Sequence, residues 1–167
     1  MKIILFLCFC LASMLTHSQS KNTPCSTENY KAFHFWVGEW EVSQNGQPAG
    51  SNSITLDQGN CLMVERWTSA NPPYTGTSYN HYDAAKQQWV QLWVDNQGGS
   101  LHLKGNMEDG KMVLKTDPAK DAQGNTVIHK VTWTPNEDGS VRQLWQTTTD
   151  EGATWTTAFD GLYTRID

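Results

Sequence analysis

From Phe35 onward the chain alternates between short runs rich in aromatic and β-branched residues and short clusters of Gly, Asn, Asp and Pro. The runs cover approximately 36–44, 51–57, 61–69, 76–83, 87–95, 100–107, 111–117, 125–134, 140–149 and 154–166. Between them lie Asn45-Gly46, Gln58-Gly59-Asn60, Asn71-Pro72-Pro73, Asn96-Gln97-Gly98-Gly99, Glu108-Asp109-Gly110, Gly124-Asn125, Asp138-Gly139 and Glu151-Gly152. Gly, Asn and Asp adopt the positive φ angles that tight hairpin turns need. Trp36/Trp40 and Trp89/Trp93 stand four apart and would also suit a helix. Within 87–95, however, Trp89, Gln91, Trp93 and Asp95 alternate with Val90, Leu92 and Val94. A helix would scatter these two sets around its circumference, so period two predicts strands. With no room for crossover helices, the strands must form an antiparallel meander. About ten of them are too many for a flat open sheet, and closure removes the exposed edges. The expected fold is all-β, an up-and-down barrel of about ten strands. Only 26–34 looks helical, with Ser26 or Thr27 as N-cap, and a short N-terminal helix there could plug one barrel end.

Several strands carry aromatic and polar side chains on one face. In 61–69, Cys61, Met63, Glu65 and Trp67 share a side; in 76–83, Tyr79 pairs with His81 and Asp83. In 125–134, Val127, His129, Val131 and Trp133 align, and in 140–149 Val141, Gln143, Trp145 and Thr147 oppose Arg142, Leu144, Gln146 and Thr148. A barrel of this strand number can enclose a small-molecule cavity. Aromatic walls with a few polar groups suit a ligand that is partly apolar and partly hydrogen-bonding. The expected walls are Trp67, Trp89, Trp93, Trp133 and Trp145. Glu65, Gln91, His129 and Gln143 would supply hydrogen bonds, with Arg142 meeting an acidic group if its face turns inward. An interior Glu or Arg requires a partner or a wet cavity.

The 167 residues suffice for one domain that buries roughly two-thirds of its unfolded surface. The chain contains 12 Lys+Arg against 17 Asp+Glu without clustering, which argues against nucleic acid or an anionic membrane surface as partner. Met1-Lys2 followed by the apolar run Ile3 to Leu15 and by Thr16-His17-Ser18 has the layout of a secretory signal cut before Gln19. That run is shorter than the roughly 20 apolar residues of a membrane helix. Residues 1–18 are thus expected to be removed, leaving 19–167 as a single periplasmic or extracellular domain with no membrane insertion. Cys25 and Cys61 then remain, either bonded across 35 intervening residues or as two separate buried thiols.

Phe35-Trp36-Val37-Gly38-Glu39-Trp40 contains a Gly-x-Trp on the first strand. This resembles the signature of the calycins, which comprise lipocalins, fatty-acid-binding proteins and nitrobindin-like barrels. The resemblance implies that Trp40 closes one barrel end, beside Gly38 and beneath a basic side chain of the last strand, here Arg165, in a cation–π contact. The ordered set 33–40, Glu65-Arg66-Trp67, 89–95, Arg142-Gln143-x-Trp145 and Phe159-Asp-Gly-x-Tyr163 is similar to a bacterial family of secreted lipocalin-like domains of unknown function. That likeness implies fold and not chemistry.

Some of these residues also bear on sharper chemistries. Nitrobindin-like barrels bind haem through an axial histidine, for which His129 is the candidate here, with His81 and His102 behind it. No cofactor is otherwise implied. His81-Tyr82-Asp83 offers two metal-ligand types, but no HxH, HExxH or CxxC completes a metal set. Glu65 could act as acid or base in a lumen hydrolase or isomerase. Thr148-Thr-Asp150-Glu-Gly152-Ala-Thr154-Trp155 resembles a propeller Asp-box, but its single copy reads as a turn support. An outer aromatic face docking another envelope protein would instead require a dry, filled lumen.

Overall fold

A computed structural model describes residues 23–166; the expected signal segment 1–18 lies outside them. The chain enters through one helical turn, α1 (Glu28–Lys31), and a 3₁₀ turn at His34–Trp36. Eleven strands follow: β1 (Gly38–Gln44), β2 (Gln47–Asp57), β3 (Leu62–Ser69), β4 (Thr75–Asp83), β5 (Gln88–Asp95), β6 (Ser100–Glu108), β7 (Lys111–Thr116), β8 (Ala119–Lys120), β9 (Thr126–Pro135), β10 (Val141–Thr148) and β11 (Thr156–Arg165). Each strand pairs antiparallel with its sequence neighbour, except that β7 pairs directly with β9 while β8 forms a two-residue ladder on β9. β11 returns to β1 and β10 pairs with β9, so ten strands close a barrel. Asn45-Gly46 and Asp109-Gly110, all at positive φ, make two-residue hairpin turns of the kind that matches strand twist.

The helical expectation over 26–34 is met only at 28–31, and Trp36 belongs to the 3₁₀ turn and not to the first strand. Burial explains both departures. Phe33 and Trp36 are drawn wholly inside the barrel, and the helix gives way after Lys31 to a 3₁₀ turn that seats both rings in the lumen just before β1 begins at Gly38. The ring of Phe33 stacks on Trp36 at 5.2 Å and meets Trp133 and Trp89 edge-on at 5.0 and 5.6 Å. Together with Leu103 and Met112 this cluster fills one end of the barrel. The Trp89 indole donates to the Asn29 carbonyl at 3.0 Å, which fixes α1 across that end. Cys25, just before α1, is disulfide-bonded to Cys61 at the start of β3 and ties the entering segment to the same end.

Trp40 is fully buried, and Arg165 places its guanidinium 4.3 Å from the Trp40 ring. The same guanidinium donates to the carbonyls of Val37 and Phe35 at 3.0 and 3.4 Å. Gly38 makes room for it: a Cβ there would lie 2.4 Å from Arg165 Nη1, and φ is +147°. At the opposite end, Asp150 accepts hydrogen bonds from Thr148 and Thr154, which hold its carboxyl down at about 2 and shape the β10–β11 turn.

Candidate functional site

Above the aromatic plug the lumen is open. A cavity of about 540 Å³ extends from mid-barrel to the end formed by the β1–β2, β3–β4 and β10–β11 connections. Its walls are Trp67, Trp93, Trp145, Phe159, Tyr74, Leu101 and Val131; its deeper polar lining is Glu65, Gln91, Gln143 and Tyr163. Two β-bulges help to shape it. Register shifts between Val42 and Ser43 and between Trp145 and Gln146 leave Ala49 and Ala158 as the extra residues, and both face the cavity. Trp67 packs edge-on against Phe159 across the wall, with ring centroids 6.1 Å apart.

Glu65 is the centre of the polar floor. Its position follows from the period of β3, which sends Met63, Glu65 and Trp67 inward, and it is almost wholly buried. Asn52 of β2 donates to Glu65 Oε1 at 2.7 Å, and Ser78 of β4 donates to Oε2 at 2.5 Å. The direction of the second bond is set further out. Asn80 Nδ2 reaches both the Met63 carbonyl and Ser78 Oγ, so Asn80 Oδ1 must accept, which it does from Gln91 Nε2 at 2.8 Å. The Ser78 oxygen thereby accepts from Asn80 and commits its own proton to Glu65. On the other side Asn52 also approaches the Tyr163 hydroxyl at 3.4 Å, and Tyr163 donates to Gln143.

Both Glu65 oxygens therefore accept hydrogen bonds, which favours the ionised form, yet no cation pairs with it among the described residues. Desolvation is the larger effect, and it raises the carboxyl from 4.5 to about 7. Tyr163 is pushed well above its usual value by burial first and by the Glu65 charge second. Asn52 Oδ1, an acceptor, has no partner at all.

The structure brings together Glu65, Gln91 and Gln143 as cavity-facing polar groups and Trp67, Trp93 and Trp145 as aromatic walls. Trp89 and Trp133, expected as walls, lie instead in the plug, because inward parity says nothing about depth along the barrel axis. His129 sits beside the rim, where its Nδ1 accepts the Trp145 indole N–H at 3.0 Å; burial lowers its pKa. Arg142 points outward and forms a bidentate pair with Asp160 at 2.7 and 2.6 Å, so it has no place in the lumen. His81 and His102 are exposed. The cavity wall thus includes no histidine among the described residues, and the residues present do not fit a haem held by an axial imidazole.

The face Tyr79-His81-Asp83 turns outward, with Tyr79 52% exposed, and the inward set of β4 is Gly76, Ser78, Asn80 and Tyr82. Asn52, Ser78 and Asn80 were not anticipated. The signal that could have found them is parity: each occupies the same strand phase as an inward aromatic or glycine.

No protein-family model matches the chain, and a search of the curated proteins returns no match.

Proposed function

We propose that the protein is a secreted, lipocalin-like barrel that binds a small amphipathic or aromatic molecule in the open half of its lumen. The observation that carries this reading is the cavity of about 540 Å³, with tryptophan walls above and a hydrogen-bonded polar floor below. A barrel built only for stability would fill that space with side chains, as this one does at its other end. Cavities of roughly 300–1,000 Å³ with apolar walls and a few fixed polar groups are the usual form of a small-molecule site. The Gly38/Trp40/Arg165 arrangement supports the calycin likeness. The segment 1–18 and the Cys25–Cys61 bridge support an oxidising compartment outside the cytoplasm. Native mass spectrometry of the mature protein from its own host, with titration of the uncharged aromatic 1-aminoanthracene, tests the reading. A reproducible excess mass lost on denaturation, or saturable probe binding weakened by Trp93→Ala, is the expected result. A bare mass together with no probe binding overturns it.

One observation favours a second reading, a lumen enzyme. A carboxyl near pH 7 on a cavity floor can both give and take a proton at neutral pH. Glu65→Gln separates the two. Retained affinity with abolished turnover identifies an enzyme, whereas lost affinity with no turnover in either form identifies a binder.

A further inference from the structure

The charge inventory of the cavity is one-sided. Among the described residues its lining has one carboxylate, Glu65, and no Lys, Arg or His. The groups that face Glu65 are Asn52 from β2, Ser78 and Asn80 from β4, Gln91 from β5 and Tyr163 from β11; none is cationic. The other titratable groups of the lining are Tyr163 and Tyr74, and the Glu65 charge disfavours ionisation of both. An anionic ligand would therefore bring its charge toward a buried acid with nothing to neutralise it. A neutral ligand would leave the acid as it stands.

A cation changes the balance. The hydrogen-bond relay from Gln91 through Asn80 and Ser78, and the amide of Asn52, already direct donors to both oxygens of the ionised form. What that form lacks is a countercharge, since a buried charge is tolerated when paired and hydrogen-bonded. The walls above Glu65 include Trp67, Trp93 and Trp145, and aromatic faces attract cations. Gln91, whose Nε2 is spent on Asn80, lines the cavity and keeps its side-chain oxygen as an acceptor for an N–H donor.

Resting on the binding-barrel reading above, we propose that the ligand is a protonated amine on an aromatic or apolar body, with its ammonium group directed to Glu65 and its body against the tryptophan wall. Binding then fixes Glu65 as the carboxylate. At a pH where the carboxyl is mostly protonated, each amine bound expels one proton from Glu65 into solution. Observed affinity falls about tenfold per pH unit below the carboxyl's pKa of about 7. It levels off above that value until the amine itself deprotonates near pH 10, as a simple alkylamine does.

The test is isothermal titration calorimetry of the mature protein with three probes that share an indole ring: tryptamine, the neutral tryptophol and the anionic indole-3-propionate. The expected order places tryptamine about tenfold or more tighter than tryptophol, with indole-3-propionate weakest. At pH 6, runs in buffers of different ionisation enthalpy should show close to one proton released per tryptamine bound. Glu65→Gln should erase the preference for tryptamine. Proton release by the unaltered protein keeps the test sound should that variant fold poorly. Equal binding of tryptamine and tryptophol, tighter binding of indole-3-propionate, or tryptamine affinity independent of pH between 5.5 and 8 overturns the proposal. If 1-aminoanthracene binds while tryptamine has no advantage, only the amine assignment falls. If neither 1-aminoanthracene nor any indole binds, the binding-barrel reading falls with it.

Discussion

The indole of Trp93 lies against Gly76 on the neighbouring strand, so closely that a Cβ at residue 76 would stand 2.1 Å from the ring. Trp67 also covers Gly50, where an added Cβ would stand 2.7 Å from the ring and 2.3 Å from the Thr68 carbonyl oxygen. In both cases an inward-facing glycine lets a large ring lie flat on the sheet, which leaves the centre of the lumen free. Cavity volume in this barrel therefore depends on the absence of two methyl groups as much as on the size of the aromatics.

Gly76→Ala should accordingly push Trp93 off the sheet and into the cavity. The expected cost in stability is about 1–3 kcal/mol, as for other overpacked sites. Affinity for 1-aminoanthracene should fall in parallel. Adding Trp93→Ala to the same chain should recover part of the stability relative to the sum of the single changes, because the clash disappears. Urea denaturation of the two single variants and the double variant, with probe titration of each, checks this. Unchanged binding in Gly76→Ala would mean that the ring is not confined as described.

Glu65 makes stability depend on pH in a direction opposite to most carboxylates. Its folded value, about 7, lies above the ordinary 4.5 because desolvation outweighs the hydrogen bonds from Ser78 and Asn52. Below pH 4.5 the group is protonated in both states and its contribution is fully present. Between 4.5 and 7 the unfolded chain releases a proton that the folded chain keeps, so stability falls as pH rises. The loss reaches about 3 kcal/mol above pH 7 and then stays constant. His129, with its pKa lowered by burial, acts in the reverse sense below its usual 6.5. Comparing the native protein with Glu65→Gln at pH 5 and pH 8 by urea denaturation removes that background. The native protein should lose more stability than the variant between the two values.

Much of the barrel was legible because hairpin turns and period two are local signals. Asn45-Gly46 and Asp109-Gly110 marked their turns through the positive φ that they adopt, and the alternation in 87–95 matched β5. The detour through β8 was not legible, since Ala119–Lys120 carries no hydrophobic alternation and pairs over two residues only. The site was half legible. Glu65, Gln91 and Gln143 were found because a polar residue between inward aromatics is conspicuous. Ser78 and Asn80 were missed because small polar residues beside Tyr79 look like the solvent face. A wet cavity inverts the ordinary rule, placing Asn and Ser inside while Tyr79, Leu92 and Val94 remain exposed. Depth along the axis has no sequence period, and so Trp89 and Trp133 could not be told from Trp93 and Trp145.

The Cys25–Cys61 bridge spans a sequence separation of 36, and a loop of that size stabilises the folded chain by about 4 kcal/mol on chain-entropy grounds. Its placement gives the loss a local character as well. Cys25 precedes the turn that delivers Phe33 and Trp36 to the plug, whereas the described lining of the cavity includes neither cysteine. Replacing both cysteines with serine should therefore lower stability by several kcal/mol. It should also raise hydrogen exchange at Asn29–Val37 more than at the β10–β11 turn. Uniform loss of protection over the whole barrel would argue that the bridge acts only on the unfolded chain.

Two arginines on neighbouring strands make opposite predictions, although both make two hydrogen bonds. Arg142 pairs with Asp160 on the outer face, where both side chains are at least one-third exposed. Water and salt screen such a pair, and Arg142→Ala should change stability by no more than about 1 kcal/mol, with no effect on 1-aminoanthracene binding. Arg165 does more than pair with a neighbouring charge. Its guanidinium covers the ring of the fully buried Trp40 and donates to two carbonyls at the entrance to β1. Removing it exposes one face of Trp40 and leaves the Phe35 and Val37 carbonyls without those donors. With about 1 kcal/mol for each lost hydrogen bond and a similar amount for the cation–π contact, Arg165→Ala should cost about 2–3 kcal/mol. Arg165→Lys should recover little of it, since one ammonium cannot reach both carbonyls while lying flat on the ring. Urea denaturation of the three variants at high and low salt separates the cases. Salt should shrink the small Arg142 effect and leave the Arg165 effect nearly intact, because that loss arises from packing and hydrogen bonds as well as from charge.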